Sequence, residues 1–256
     1  MALLQVDEVT VRFGGISALE SATLDAESSR VTGLIGPNGA GKTTLFNVIT
    51  GLQPPTAGRV HLEERDVTTV KPHRRARLGL GRTFQRLEVF GSLTARENVL
   101  VAGEIRRRWA GDDTDARARA DELIDLVGLS GVADERVDAL PTGPARLVEL
   151  ARALATRPKL LLLDEPGSGL NEEETEAFGS LLLRLAQEGL GILLVEHDVE
   201  LVMRVCERIF VLDYGRIIAQ GSAKEIQRNE AVKAAYLGTA DDDGATTTHT
   251  KQRAAR

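Results

Sequence analysis

The sequence is poor in cysteine and in aromatic residues. Of its 256 residues one is a cysteine, Cys206, and only 4% are Phe, Trp or Tyr. A single cysteine cannot form an internal disulfide, and it excludes a cysteine-based zinc module. Because Cys206 lies in a periodic apolar stretch, we interpret it as a packing residue of a protein from a reducing compartment.

Long apolar runs are also missing, and so is an excess of positive charge. No run of about 18 apolar residues could span a bilayer, and the amino terminus lacks the residue order of a signal peptide. A net charge of −6 argues against a nucleic-acid binder. We therefore expect a cytosolic protein with no nucleic-acid partner, whose membrane role, if it has one, runs through another subunit.

The residues that are present predict an α/β fold with a mostly parallel sheet. Short apolar runs typical of buried strands recur along the chain, at residues 31–35, 159–164, 191–196 and 209–212. Helical patterns alternate with them, at residues 42–50, 172–187 and 199–206. Alternation of this kind predicts a sheet covered by helices.

Three further segments depart from this alternation. The opening segment, from Leu4 to Phe13, alternates apolar and polar residues and predicts an edge strand, followed by strands at 18–24 and around Val60. Residues 94 to about 155 predict an inserted helical lobe. We expect one domain over residues 3–238 and a disordered tail at 239–256, where apolar periodicity is missing.

A phosphate-binding loop follows the strand at 31–35. The segment Gly36-Pro37-Asn38-Gly39-Ala40-Gly41-Lys42-Thr43 fits the pattern GxxxxGK[ST] and opens a predicted helix. Glycines let backbone N–H groups turn toward a polyanion, which the positive end of the helix also attracts. We expect the loop and Thr44 to bind ATP, with Lys42 on the β- and γ-phosphates and the Thr43 hydroxyl on Mg²⁺.

Acidic side chains follow a second apolar run. Asp164 and Glu165 end the strand predicted at 159–164, at the edge of the sheet where ligands bind in open α/β folds. Asp164 is expected to hold Mg²⁺ through water, and Glu165 to act as general base on the attacking water. His197 follows the next strand and points to the same crevice, where it contacts the γ-phosphate or positions the water; a purely structural histidine is the alternative.

Together these residues resemble the ATP-binding cassette family, the ATP-hydrolysing subunits of membrane transporters, over residues 3 to about 238. The resemblance implies a P-loop fold with an antiparallel β subdomain and an inserted helical subdomain at about 94–155. Arg82-Thr83-Phe84-Gln85 is similar to the family's glutamine loop, which implies that Gln85 senses Mg²⁺ and couples hydrolysis to the membrane subunit. Phe13 stands at the aromatic position that stacks on adenine, and core packing is its alternative role.

The resemblance is partial at the family's signature, usually Leu-Ser-Gly-Gly-Gln, where this chain has Leu140-Pro141-Thr142-Gly143-Pro144. In the family this segment contacts the γ-phosphate held by the opposite subunit of a dimer, and Pro141 offers neither hydroxyl nor N–H. We therefore expect a heterodimer with a second cassette subunit, in which this chain's phosphate loop forms the competent site. A homodimer of low activity is the alternative. Residues 166–171 are similar to the dimer-contacting loop, with Asn171 where Asp is usual.

Three stretches are most similar to the branched-chain amino-acid importers, and they are Gly81 to Gln85, Val195 to Asp198 and Val232 to Gly238. The resemblance implies permease subunits as partners, an external solute-binding protein, and a peripheral place on the inner face of the membrane. Urea importers, the lipopolysaccharide-exporting ATPase, a soluble cassette ATPase and a non-hydrolysing regulator stay open as alternatives.

Two further segments, at residues 89–93 and 71–77, each have two possible roles. Val89, Phe90 and Leu93 are expected in a permease-binding groove, with burial in the lobe core as the alternative. The basic run at residues 71–77 is interpreted as solvated surface, and contact with membrane phosphates or a permease loop is the alternative.

Overall fold

The structure is a computed structural model, and it describes residues 2–111, 113 and 115–237. The tail predicted at 239–256 lies outside the described residues. The strands are β1 (Ala2–Phe13), β2 (Ile16–Glu27), β3 (Val31–Ile35), β4 (Ala57–Leu62), β5 (Arg65–Asp66), β6 (Leu80–Arg82), β7 (Leu160–Asp164), β8 (Gly191–Val195), β9 (Arg208–Asp213) and β10 (Arg216–Gly221). The α-helices are α1 (Lys42–Thr50), α2 (Pro72–Arg77), α3 (Ala95–Ala110), α4 (Ala116–Leu126), α5 (Thr142–Ala155), α6 (Glu172–Gln187), α7 (Val199–Val205), α8 (Ala223–Arg228) and α9 (Glu230–Leu237).

The six-stranded sheet is mostly parallel, as the alternation of strands and helices predicts. Its strand order is β10-β9-β3-β8-β7-β6, and only the pair of β9 with β10 is antiparallel. All five residues of β3, β7 and β8 are buried, which explains why these strands are continuous apolar runs without alternation. The carboxyl ends of β3, β7 and β8 therefore meet at one edge of the sheet.

The second sheet is antiparallel and has the order β2-β1-β4-β5. The expectation of an edge strand at the amino terminus is wrong, because β1 pairs with β2 on one side and with β4 on the other. Alternation along β1 reflects one buried and one solvent-facing side of the sheet and not its position within the sheet. A tight turn at Gly14 and Gly15 joins β1 to β2.

Apolar side chains form two cores, one on each face of the six-stranded sheet. Leu160 and Leu162 of β7 face the core shared with the antiparallel sheet and α1, whereas Leu161 and Leu163 face the core shared with α5, α6 and α7. Cys206 is buried in the second core, and burial raises the pKa of its thiol to about 12. The structure thus confirms the interpretation of Cys206 as a packing residue.

Three helices, α3, α4 and α5, occupy the segment that the sequence predicts to be helical. Thr94 and Glu97 form a capping box at the start of α3, and the Asp115 carboxylate caps α4. The three helices pack on one another through buried residues such as Val99, Leu123 and Val148. Among the described residues, none of the helices combines the length and the apolar composition that crossing a bilayer requires.

The basic run at 71–77 forms α2, and the prediction of a solvated surface is wrong for one of its residues. Arg75 is 1% exposed, and its guanidinium donates to the carbonyl oxygens of Val48, Ile49, Val70 and Thr68 at 2.6–2.9 Å. Burial lowers the pKa of Arg75 to about 10. Two of its acceptors lie in the last turn of α1, so Arg75 satisfies carbonyls that the end of that helix leaves without partners.

Candidate nucleotide site

The phosphate loop connects β3 to α1 at the carboxyl edge of the parallel sheet. Its last residue before the helix, Gly41, has φ 110°, a left-handed conformation that favours glycine. Gly36 is required for space: a Cβ there would lie 2.0 Å from the carbonyl oxygen of Leu212 in β9. The loop is therefore packed against the sheet at its base, while Asn38 and Gly39 at its tip are exposed.

Lys42 opens α1 and folds back over the loop. Its Nζ donates to the carbonyl oxygens of Gly36 at 2.6 Å and Pro37 at 3.0 Å. Burial lowers the pKa of Lys42, and the negative charges of Glu165 and Asp164 oppose that shift. The ammonium group thus lies between the loop and the acidic pair. Next to it, the predicted ligands Thr43 and Thr44 are exposed and half-buried in the first turn of α1.

Asp164 ends β7 as a buried carboxylate that is 2% exposed. Its Oδ2 accepts from Nη2 of Arg82 at 3.0 Å, and its backbone N–H donates to Oγ1 of Thr83 at 3.3 Å. Burial raises the pKa of Asp164, and the charge and hydrogen bond of Arg82 oppose that increase. Arg82 also donates to Oδ1 of Asn47 in α1 at 2.7 Å, so it connects the acidic strand to the helix of the phosphate loop.

Glu165 lies between the two other predicted catalytic side chains. Its Oε2 accepts from Nε2 of Gln85 at 2.9 Å, and its Oε1 lies 2.6 Å from Nε2 of His197. Glu165 has φ 51°, a costly conformation for a residue with a side chain, and its N–H is held by the carbonyl of Val195. The structure therefore brings together Gln85, Glu165 and His197, which are far apart in sequence.

The glutamine loop is held from behind by α5. Arg146 donates to the backbone carbonyls of Phe84 and Gln85, and Oε1 of Glu149 accepts the N–H of Phe84 at 3.2 Å. Burial raises the pKa of Glu149, whereas the hydrogen bond from Phe84 and the charge of Arg146 lower it. Helix α5, which begins at the segment similar to the signature, is therefore hydrogen-bonded to the glutamine loop through Arg146 and Glu149.

The start of α5 lacks the polar groups of a usual helix cap. Pro141 occupies the N-cap position and makes no side-chain cap hydrogen bond. Thr142 is exposed, and Gly143 packs against Leu170 and the carboxylate of Glu174. The segment thus contacts the loop at 166–171, and a carboxylate lies beside the N–H groups that would face an anion.

Phe13 lies at the end of β1, next to the turn into β2. It is 51% exposed, which excludes the alternative of core packing. The same hairpin reaches the phosphate loop at Gly41, where an added Cβ would lie 2.7 Å from the carbonyl oxygen of Ala18. Phe13 is therefore exposed and available for stacking.

Sequence reasoning missed two residues of this site. Arg82, which pairs with Asp164, stands in the stretch that resembles the glutamine loop, and Glu196, a buried carboxylate, directly precedes His197. Their positions beside predicted site residues were visible in the sequence. Their contacts were not, because each depends on which strands are neighbours in the sheet.

The fold and the loop between β3 and α1 define a nucleotide-binding cassette ATPase. A family model described as ABC transporter matches residues 19–168, and one described as branched-chain amino acid ATP-binding cassette transporter matches residues 216–242. The chain belongs to the ABC transporter family, as its ATP-binding and ATP-hydrolysing subunit.

Curated relatives and solved structures agree with this assignment. The chain is 37% identical to the high-affinity branched-chain amino acid transport ATP-binding protein BraF of Pseudomonas aeruginosa, with 93% of this chain and 98% of that protein covered. Over the same coverage it is 36% identical to LivG of Escherichia coli, and it is 35% identical to the lipopolysaccharide export protein LptB of that organism. The structure of the ADP conformation of MJ1267, an ATP-binding cassette of an ABC transporter, has a TM-score of 0.82 at 30% identity and covers 93% of this chain and 99% of that one.

Proposed function

We propose that this chain powers the import of branched-chain amino acids. The observation that carries the proposal is the match at residues 216–242, the region of β10, α8 and α9, to a model described by that substrate class. Relatives named for branched-chain amino-acid transport support it. Export of lipopolysaccharide is the second candidate, because LptB is nearly as similar.

The predicted site residues receive the following roles. Lys42 and the loop at 36–43, with Thr44, bind the phosphates of ATP, and Phe13 stacks on adenine. The donor set of Thr43, Asp164 and Gln85 consists of the oxygen ligands that Mg²⁺ prefers. When bound, Mg²⁺ supplies charge neutralisation between the β- and γ-phosphates.

Glu165 is the general base for the attacking water. His197 and Gln85 hold its two carboxylate oxygens in place, so the carboxylate is oriented before substrate arrives. The proposed role of His197 is to contact the γ-phosphate or to help position the attacking water. Arg82 orients Asp164 by its contact to Oδ2.

Residues 3–238 act as one cassette, with the helical segment at about 94–155 inserted, and the cassette works in a dimer. The partner is a second cassette subunit that completes this chain's site with its own signature. Residues 140–144 of this chain complete the site that holds nucleotide on the partner subunit, and Pro141 and Pro144 impair that contact. The opposite site therefore binds nucleotide but hydrolyses it poorly. In a homodimer both sites carry this defect.

The cassette docks on the inner face of the membrane through permease subunits, which an external solute-binding protein supplies with substrate. Phe90 is 46% exposed and Leu93 is half-buried, and these two residues line the proposed permease-binding groove. Phe84, which directly precedes Gln85, is 38% exposed. Val89 is partly buried against the lobe core, which makes it a support of the groove.

The test is to copurify the tagged chain from membranes, reconstitute the complex in vesicles, and measure ATP-dependent uptake of labelled leucine and urea and ATP-dependent extraction of lipopolysaccharide. Uptake of leucine that stops in the Glu165→Gln complex supports the proposal. Transport of urea or lipopolysaccharide instead, or copurification with ribosomes or DNA without permeases, contradicts it. Absence of ATPase activity in both the chain and the complex indicates a regulator.

A further inference from the structure

Glu196 is a buried carboxylate that the roles proposed above do not use. It directly follows β8 and is 7% exposed. Its Oε1 accepts the backbone N–H of Gly167 at 2.5 Å, and its Oε2 accepts the N–H of His197 at 3.1 Å. Burial raises the pKa of Glu196, and the hydrogen bonds from these two amides oppose that increase. Burying a carboxylate costs free energy unless the charge is compensated by hydrogen bonds such as these.

The two amides belong to the two loops that carry reacting groups. Gly167 lies two residues after Glu165, in the loop between β7 and α6, and His197 lies in the loop between β8 and α7, directly after Glu196. Glu165 and His197 meet across these loops at 2.6 Å. Chain bonds and hydrogen bonds therefore form a closed ring, from Glu165 through Gly167, Glu196 and His197 back to Glu165.

The contact to Gly167 depends on the absence of a side chain there. A Cβ at Gly167 would lie 2.9 Å from Oε1 of Glu196, a distance that real Cβ atoms essentially never show. Gly167 is not among the residues with positive φ, so its backbone conformation is open to other residues. A side chain at this position would therefore have to displace the Glu196 carboxylate from its contact with the Gly167 amide.

We propose that Glu196 is a positioning residue. Its hydrogen bonds connect the loops that carry Glu165 and His197, and they fix the positions of these two side chains relative to each other. The inference rests on the proposed roles of Glu165 and His197 in hydrolysis. Glu196 does not touch the reacting atoms. It acts through the backbone on both sides of the Glu165–His197 contact.

The test uses Glu196→Gln, Gly167→Ala and the double variant in the full chain, assembled with its partner subunits. An amide at position 196 keeps one acceptor oxygen and loses the other, and the Cβ of Ala at 167 displaces the Glu196 carboxylate from the Gly167 amide. Each single variant is expected to lower kcat for ATP about tenfold while KM changes less than about twofold, because small misplacement of reacting groups affects turnover more than binding. Since both changes break the same contact, the double variant is expected to be no slower than the slower single.

A second readout is independent of hydrolysis. In the nucleotide-free chain labelled with ¹⁵N-glycine, the Gly167 amide proton is expected downfield in the wild type and shifted upfield in Glu196→Gln. The matched control is Glu200→Gln, the same chemical change at an exposed carboxylate in α7, which is expected to leave kcat and the Gly167 resonance unchanged.

Two results would overturn the proposal. One is an unchanged kcat in Glu196→Gln despite a shifted Gly167 resonance, and the other is a rise of KM in parallel with the fall of kcat, as a merely loosened fold gives. Glu165→Gln in the same assay separates this inference from the proposed function: if Glu165→Gln turns over at the wild-type rate, the roles in hydrolysis fail, whatever the Gly167 resonance shows.

Discussion

Helix α1 begins at the phosphate loop and α5 begins at the segment similar to the signature, and the two amino termini carry different chemical groups. The start of α1 has a glycine-rich loop, an ammonium group and the hydroxyl-bearing Thr43. The start of α5 has Pro141 at the N-cap and Pro144 in its first turn, with the carboxylate of Glu174 beside Gly143. Both ends have the helix dipole, and α5 offers the Thr142 hydroxyl, but only α1 adds a glycine-rich loop and a positive charge for an anion.

The difference shows that one chain can combine many anion-binding groups at the start of α1 with few at the start of α5, although both segments are proposed to contact nucleotide. Helix α5 is nevertheless firmly held, through Arg146 and Glu149, to the loop of Gln85. A weak anion contact at Pro141 is therefore compatible with an intact connection between α5 and this chain's own site.

The largest expected effect belongs to the α1 side. Glu165→Gln in the assembled complex is expected to lower steady-state ATP hydrolysis about 1,000-fold, because the amide cannot accept a proton from water. Nucleotide binding by the complex is expected to persist. The measurement is phosphate release alongside ATP binding, and substantial residual turnover would show that the opposite site hydrolyses ATP and would break the contrast.

Lys42→Ala is expected to weaken ATP binding by the isolated chain about 50-fold. Removing the ammonium group deletes charge-assisted hydrogen bonds to phosphate, each worth about 1.5–3 kcal/mol. Titration calorimetry measures the dissociation constant. Lys224→Ala, which removes the same charge from an exposed position in α8, serves as control, and equal weakening in both would point to a general charge effect.

The carboxyl end of α1 is stabilised by hydrogen bonds from Arg75, and Arg75→Met tests this contribution. Loss of four hydrogen bonds to carbonyl oxygens, partly offset by relief from burying a charge, is expected to lower the free energy of unfolding by about 2 kcal/mol. Urea unfolding gives the value. Arg74→Met, its exposed neighbour in α2, is expected to change stability by less than about 0.5 kcal/mol.

The opposite change replaces the two prolines at the start of α5 with residues that offer hydrogen-bond donors. Pro141→Ser with Pro144→Gln restores a hydroxyl and an N–H at the helix start. In a heterodimer the second site is then expected to raise total hydrolysis about twofold, whereas in a homodimer, where both sites are repaired, the increase is expected to exceed about tenfold. An unchanged rate would mean that the prolines are not what limits this half. Thr142→Ser, which keeps the hydroxyl and both prolines, is the control.

Cys206 lies in neither region and gives the smallest effect. Its folded pKa of about 12 lies above the value of about 8.5 for an unfolded chain, so stability is fully present below about pH 8.5 and decreases between that pH and 12. Between pH 7 and 9 the expected decrease from this group is less than about 1 kcal/mol. Comparison of urea unfolding in wild type and Cys206→Ala isolates it, and no difference in slope would contradict the raised pKa.

Local signals explain which parts of the fold are predictable from the sequence. The predicted bounds of α1 and α6 are confirmed, because Gly51 ends one helix and Asn171 caps the other. Strand β6 has three residues, all of them paired with a strand about 80 positions away, and shows no periodicity. The position of β1 inside its sheet depends likewise on partners that no short window contains.

The candidate site divides in the same way. Their positions after neighbouring strands predict that Glu165 and His197 share a crevice, and the family resemblance adds Gln85; the structure brings the three side chains together. Arg82 and Glu196 act only through neighbours in space, since each contacts residues from a different strand or loop. Buried charges of this kind cannot be recognised before the strand order is known.

Gly36 has a consequence for the comparison of sequences in this family. Its lack of a side chain is enforced by the carbonyl of Leu212, a neighbour that has no part in chemistry. A cassette that had lost its ability to bind nucleotide would still need glycine here in order to fold. Retention of the first glycine of the pattern is therefore a record of packing, and it cannot by itself distinguish a working ATPase from a descendant that has become inactive.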